Sequence, residues 1–388
     1  MTKSTGSILD GESRPEGRGA GTGPRTSTLE LNRAGQSLWL DNITRDLLTS
    51  GTLKRYIDEL SITGLTSNPT IFDHAMKHGS AYDADIRELA QSGLADEKLF
   101  FELALEDLTR AADLFRPVHE RTAGVDGWVS LEVSPRLAYD TNSTLTEARD
   151  LHGRARRPNL FIKIPGTREG LPAIESAIFA GVPINVTLLF SADQYVAAAD
   201  AWLRGIERRI AAGLNPDVAS VGSIFLSRWD VATADKVPAA LRNKLGLAVG
   251  RSAYRAYCEL LTSPRWLRAL NAGARPQRLL FASTGTKDPK ASDVLYIEGL
   301  IGPYTINTMP ESTLKAFADH GKVGDAIPAD GGDSEAVLAE FTRAGVDLAA
   351  LAAKLQKDGA DAFVTSWDSL MGVIRSKATE LKKAAGAR

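Results

Sequence analysis

Asn159-Leu-Phe-Ile-Lys-Ile-Pro-Gly-Thr-Arg-Glu-Gly170 reads as a short buried strand, Leu160 to Ile164. Pro165 and Gly166 stop the strand, and the pattern predicts a helix beginning near Thr167 or Arg168. A lysine between two isoleucines is out of place. Burying an ammonium ion costs several kcal/mol unless it is paired or gives up its proton. Such a site lowers the amine pKa, and a neutral amine is a nucleophile toward carbonyl carbon. Two readings of Lys163 follow. In one it forms a Schiff base with a ketose. In the other it sits at a strand end, reaches water along its stem and pairs with an acid. Taken alone, the stretch favours the second reading, because structural lysines outnumber catalytic ones. The rest of the chain reverses that preference.

The strand–helix unit recurs along the sequence. Gln36 to Asn42 is a first strand ending in Asp41, followed by a helix capped by Thr44 and running to about Leu60. Thr63 to Pro69 is a second strand, ending in Asn68. Several helices then come in a row, the longest of them from Ala95 to about Glu120, with Leu99, Leu103, Leu108, Ala112 and Phe115 at helical spacing. Gly127 to Pro135 is the third strand and carries Glu132; a helix over 140–157 leads to the fourth strand and Lys163. Gly181 to Leu189, Ala219 to Leu226, Arg278 to Ser283 and Tyr304 to Met309 complete the set. Residues 311–388 read as helical, broken at Gly331-Gly332. Eight short apolar strands alternating with helices imply a parallel sheet closed as a (β/α)8 barrel of the TIM type, with additional helices. This places one catalytic domain over 28–388. Residues 1–27 are rich in Gly, Ser, Thr, Arg and Pro, cannot offset their ordering entropy by burial, and are expected to be a disordered tail. Gly17 to Gly23 resembles a phosphate loop in composition, but no strand precedes it.

Bulk properties narrow the function. The chain has 388 residues, 43% hydrophobic and 24% charged, with net charge −2 and pI near 6.3. This is a globular composition without the basic footprint of a nucleic-acid binder. The single cysteine, Cys258, cannot form an intrachain disulfide and reads as a small core residue. No apolar run approaches a membrane span, and the polar N-terminus lacks a hydrophobic signal core, so a cytoplasmic location is expected. Neither a nucleic acid nor a membrane is an expected partner. A monomer and a homodimer both remain open.

Barrel chemistry sits at the C-terminal ends of the strands. There the sequence places Asp41, Asn68, Glu132, Lys163, Asn185 with Thr187, Ser223 and Ser283. Polar interior layers satisfied by hydrogen bonds explain any one of these residues, but the set poorly. One amine, two carboxylates, two amides and several hydroxyls at one mouth suit Schiff-base chemistry. Lys163 would attack the ketone, Glu132 would move protons through a water as the carbinolamine forms and dehydrates, and Asp41 would serve as acid/base for carbon–carbon cleavage. Asn68 and Asn185 would hold the hydroxyls of a three-carbon fragment. The iminium is the electron sink, so no metal or other cofactor is expected. The five histidines (His74, His78, His119, His152, His320) show no metal-ligand spacing. Arg228 after the sixth strand and Ser283 to Pro289 after the seventh, including Lys287, are candidates for a phosphate site, set against the alternative of a surface turn.

Trp39-Leu-Asp41, Gly64 to Phe72, Val129 to Pro135, Ile162 to Thr167 and Ile184 to Ser191 together resemble the transaldolase family, particularly its longer bacterial and plant-type members. Ala282 to Pro289 and Asn307 to Glu311 add to the resemblance, which spans the chain from about Leu29. It implies transfer of dihydroxyacetone from sedoheptulose 7-phosphate or fructose 6-phosphate, through a Schiff base on Lys163, to an aldose phosphate. It implies Asp41 and Glu132 as the acid/base groups. Asn68, Asn185, Thr187, Ser223 and Phe225 would line the site, and Arg228 would bind phosphate. In two respects the sequence departs from the pattern, one being the tail over 1–27, which has no counterpart in it. Shorter members carry an arginine just after the seventh-strand serine, whereas here Ser283 is followed by Thr284-Gly285, and Lys287 is the candidate for that role. The rivals are a fructose-6-phosphate aldolase, whose members typically carry Gln and Tyr where this chain has Glu132 and Phe225, a paralogue with another sugar phosphate, and a non-catalytic sugar-phosphate binder.

Overall fold

A computed structural model of the chain describes residues 26–386. The tail expected over 1–27 lies outside them except for its last two residues. Those two are already structured: Thr26 caps helix α1 (Ser27–Arg33) by accepting from Leu29 N. Eight parallel strands close into a barrel in sequence order. They are β1 (Ser37–Asp41), β2 (Ile62–Thr66), β3 (Trp128–Glu132), β4 (Leu160–Pro165), β5 (Ile184–Leu189), β6 (Ser220–Phe225), β7 (Gln277–Ala282) and β8 (Ile306–Met309).

Period-two alternation explains the lysine in the apolar run. On β4, Leu160, Ile162 and Ile164 face the surrounding helices, while Phe161 and Lys163 face the barrel interior. Neighbouring strands repeat this. Leu38 and Leu40, Val129 and Leu131, and Ile184 and Val186 are fully or almost fully buried and form the layer between barrel and helices. Inside, large side chains fill the lower barrel, with Phe161 stacked on Trp128 at 4.1 Å between ring centroids and Trp39 at 6.2 Å. Below them Asp126 accepts from Trp39 Nε1 at 2.8 Å, and Arg278 donates to the Val125 and Thr305 carbonyls at 2.9 and 3.0 Å. These bonds close the floor of the barrel.

Helices α2 (Arg45–Thr49) and α3 (Thr52–Glu59) follow β1. They replace the single helix expected to run to Leu60, because Gly51 adopts φ +72 between them. Thr44 does cap α2. After β2 come α4 (Pro69–His78), α5 (Asp83–Gln91) and α6 (Asp96–Arg121). Helix α7 (Thr141–Ala155) precedes β4, and α8 (Gly170–Phe179) follows it. The latter starts later than Thr167 because Thr167 makes a turn of its own, accepting from Gly170 N at 3.0 Å and donating to the Ala138 carbonyl at 2.5 Å. Then come α9 (Ala192–Ala211), α10 (Ser227–Thr233), α11 (Leu245–Thr262), α12 (Pro264–Asn271), α13 (Leu295–Glu298), α14 (Glu311–His320), α15 (Ser334–Arg343) and α16 (Leu348–Gly386). Gly331-Gly332 falls in the gap between α14 and α15, as expected. Among the described residues no helix is long and apolar enough to cross a membrane.

Helix α16, 39 residues long, turns one apolar face to the barrel mouth, with Leu355, Phe363, Trp367 and Leu370 buried. Polar anchors fix it. Trp367 Nε1 donates to Glu97 at 2.8 Å, Arg136 pairs with Asp368 at 2.6 Å, and Lys377 pairs with Asp83 at 2.6 Å.

Candidate active site

Strand register brings the central residues together. Glu132 on β3 is the partner of Lys163 on β4, which is the partner of Asn185 on β5. With all three side chains inward, they form one polar layer near the C-terminal end of the barrel. Lys163 Nζ lies 3.1 Å from Glu132 Oε2, with the two side chains only 6% and 3% exposed. It also donates to the Ser67 carbonyl at 2.8 Å. The contact with Glu132 is an ion pair, and no other group among the described residues donates to the carboxylate. Burial raises the proton affinity of Glu132; the Lys163 charge opposes this and Asp41 adds to it.

Asp41, at the end of β1, is also pushed up by burial and held back by the Lys163 charge. Thr66 Oγ1 donates to Asp41 Oδ1 at 3.0 Å and lies 3.0 Å from Thr308 Oγ1. A hydroxyl has one proton, so Thr308 is the donor to Thr66 in that second bond. A relay from β8 through β2 thus ends on the β1 carboxylate. Asn185 is fixed from both sides. Its Nδ2 donates to Ser130 Oγ at 3.1 Å, and its Oδ1 accepts from Ser223 Oγ at 2.7 Å.

Above this layer opens a cavity of about 460 Å³. Of the residues singled out in the sequence, Asp41, Asn68, Lys163, Thr187, Ser223, Phe225, Arg228, Ser283 and Lys287 line it. Glu132 and Asn185 do not; they lie beneath the lining. Asn68 is not a strand residue as expected. Strand β2 ends at Thr66, and Asn68 caps α4 by accepting from Ile71 N at 3.2 Å, with Pro69 in the first turn. The cap occupies Oδ1 and leaves the amide N–H groups for a ligand. Thr187 presents a buried hydroxyl without a partner among the described residues. Next to it a bulge in β5 puts Leu188 at φ +59, and Gln356 on α16 donates to the Leu188 and Gly166 carbonyls at 2.9 and 3.0 Å. Ser283 sits just beyond β7 at φ +55, its hydroxyl 2.8 Å from that of Ser227.

This arrangement can hold a carbonyl compound against an amine, with carboxylates on two sides and cations at the rim. A family model described as Transaldolase/Fructose-6-phosphate aldolase matches residues 38–374. The chain belongs to the transaldolase/fructose-6-phosphate aldolase family. Proteins named transaldolase from Parafrankia sp. (strain EAN1pec), Thermobifida fusca (strain YX) and Thiobacillus denitrificans (strain ATCC 25259 / T1) are 45%, 46% and 45% identical to it. These alignments cover 90%, 88% and 89% of this chain and 97%, 95% and 99% of the relatives.

Sequence reasoning missed several residues of this candidate site. Thr44, Thr66, His74, Thr308 and Phe363 line the cavity, and Ser130 orients Asn185. Thr66 and Ser130 lie inside segments that were read, two residues from named neighbours, so inward alternation could have found them. Nothing in the sequence links Phe363 to residues more than a hundred positions earlier.

Proposed function

We propose that the chain is a transaldolase that uses Lys163 as its Schiff-base lysine. The observation that carries this reading is the register-matched Lys163–Glu132 pair beneath a cavity that also presents Asp41 and two cations, Arg228 and Lys287. A ketose phosphate enters with its phosphate toward Arg228 and Lys287 and its carbonyl toward Lys163. The ammonium passes a proton to Glu132, whose proton affinity burial raises. The free amine adds to the ketone carbon. A water between Glu132 and Thr187, whose hydroxyl lacks a partner among the described residues, carries the protons that turn the carbinolamine into an iminium with loss of water. Asp41 then takes the proton of the hydroxyl beyond the carbon–carbon bond. That bond breaks, its electron pair moves into the iminium to give an enamine, and an aldose phosphate leaves. Asn68 and Ser223 hold the hydroxyls of the retained fragment, and Asn185, beneath them, fixes the Ser223 hydroxyl. An acceptor aldose phosphate reverses the steps.

By family resemblance, the donors are sedoheptulose 7-phosphate and fructose 6-phosphate and the acceptors glyceraldehyde 3-phosphate and erythrose 4-phosphate, in the pentose phosphate pathway. Glu132 and Phe225 favour transfer over the lyase reaction of the same family. Omitting the acceptor tests this choice. A transferase stalls after one turnover with the fragment on the enzyme; continuous release of dihydroxyacetone would make the chain a lyase.

A further inference from the structure

Helix α16 contains a glycine that helix physics disfavours. Glycine in a helix interior costs about 1 kcal/mol relative to alanine. Gly372, also in α16, has open space around its Cα, where a side chain would meet nothing within 4 Å. Gly359 is buried, and a Cβ there would stand 2.9 Å from Arg228 Nη1 and 3.0 Å from Leu188 Cδ2. One turn on, the Phe363 ring centroid lies 5.9 Å from the Arg228 guanidinium carbon; the Phe225 ring on β6 lies at 5.2 Å. Gln356, one turn before, fastens this part of α16 to the ends of β4 and β5. The three residues share one helix face.

Among the described residues the Arg228 guanidinium makes no ion pair and no hydrogen bond. A long side chain left so loses conformational freedom when a ligand fixes it. An acidic partner would fix it beforehand, but would occupy its N–H donors and cancel its charge. Aromatic faces restrain the guanidinium plane while leaving all five donors free.

We infer that Gly359 and Phe363 are positioning residues that hold Arg228 ready for a sugar phosphate, so that the C-terminal helix forms part of the phosphate site. This rests on the reading of Arg228 as a phosphate ligand. Gly359 supplies the room for the guanidinium, and Phe363 supplies one of the faces that orient it. The nearest atom that a side chain at 359 would meet is the far end of the flexible Arg228 side chain, so a Gly359→Ala change is expected to displace the guanidinium.

The test uses the full chain and borohydride trapping on Lys163, read by mass spectrometry. The half-saturating concentration is measured for fructose 6-phosphate and for dihydroxyacetone, which has the reacting carbons and no phosphate. Gly359→Ala and Phe363→Leu are expected to raise the fructose 6-phosphate value roughly tenfold relative to the dihydroxyacetone value. Phe363→Tyr, which keeps the ring, restores it. Gly372→Ala gains the same helix propensity and leaves the ratio alone. If Arg228→Gln shifts the ratio but Gly359→Ala does not, the inference is overturned and the phosphate reading stands. An equal shift from Gly372→Ala assigns the effect to the helix and also overturns it. If Arg228→Gln leaves the ratio unchanged, the phosphate reading fails and takes the inference with it. Should Phe363→Leu lower the melting temperature so far that trapping is lost, Gly359→Ala alone decides.

Discussion

Lys163 Nζ stands 3.1 Å from a Glu132 carboxylate to which no other group among the described residues donates. In the proposed mechanism this pair passes a proton, with Glu132 as the acceptor. Replacing Glu132 with Gln keeps the shape and removes the proton acceptor. The rate of Schiff-base formation, followed by single-turnover trapping, should fall about 10²- to 10⁴-fold. An unchanged rate would remove Glu132 from the mechanism.

The threonine relay onto Asp41 yields a pH prediction. Burial raises the Asp41 carboxyl, whereas the Lys163 charge and the Thr66 hydroxyl bond favour its ionised form. In the proposed mechanism cleavage needs the Asp41 carboxylate, so kcat should fall as pH drops through this group's pKa. Thr66→Val deletes a bond that favours ionisation, so the acid limb of the kcat profile should move to higher pH. A limb that stays in place would show that another group governs it.

Much of this site was legible because barrel strands repeat a simple pattern. An ionisable or polar residue near the end of an apolar strand, as at Asp41, Glu132 and Lys163, points inward by alternation once its neighbours face helices. Asn68 shows where the pattern fails. An asparagine followed by proline serves equally well as the end of a strand or the cap of a helix, and only the position of Thr66 in the sheet decides. The role of α16 was not legible at all. Its spacing shows that one face is buried, but not that Gly359, Gln356 and Phe363 come to rest on β4, β5 and Arg228.

Gln356 offers a stability test of that helix. Its side chain bridges the Gly166 and Leu188 carbonyls, one of them in a backbone conformation disfavoured for leucine. Gln356→Ala leaves both carbonyls without that donor and should cost about 1–3 kcal/mol in denaturant unfolding. A loss below about 0.5 kcal/mol would mean that α16 is held elsewhere.

Glu147 on α7 predicts a pH-dependent stability. Burial, with Glu97 and Asp150 nearby, raises its carboxyl from the ordinary 4.5 to about 7, against the bond from Ser134 N. A raised acid contributes stability that is fully present below pH 4.5 and is lost as pH rises through about 7. The loss is at most about 3 kcal/mol. Glu147→Gln does not ionise, so its melting temperature should fall less than that of the parent between pH 5 and pH 8. Parallel curves would place the effect in another group.

The central claim is that Lys163 carries the substrate carbon. The protein is mixed with fructose 6-phosphate, reduced with borohydride, and digested for peptide mapping by mass spectrometry. The account predicts a three-carbon adduct on Lys163, absent in Lys163→Ala. No adduct on folded protein with several ketose phosphates, or an adduct on another lysine, would contradict it.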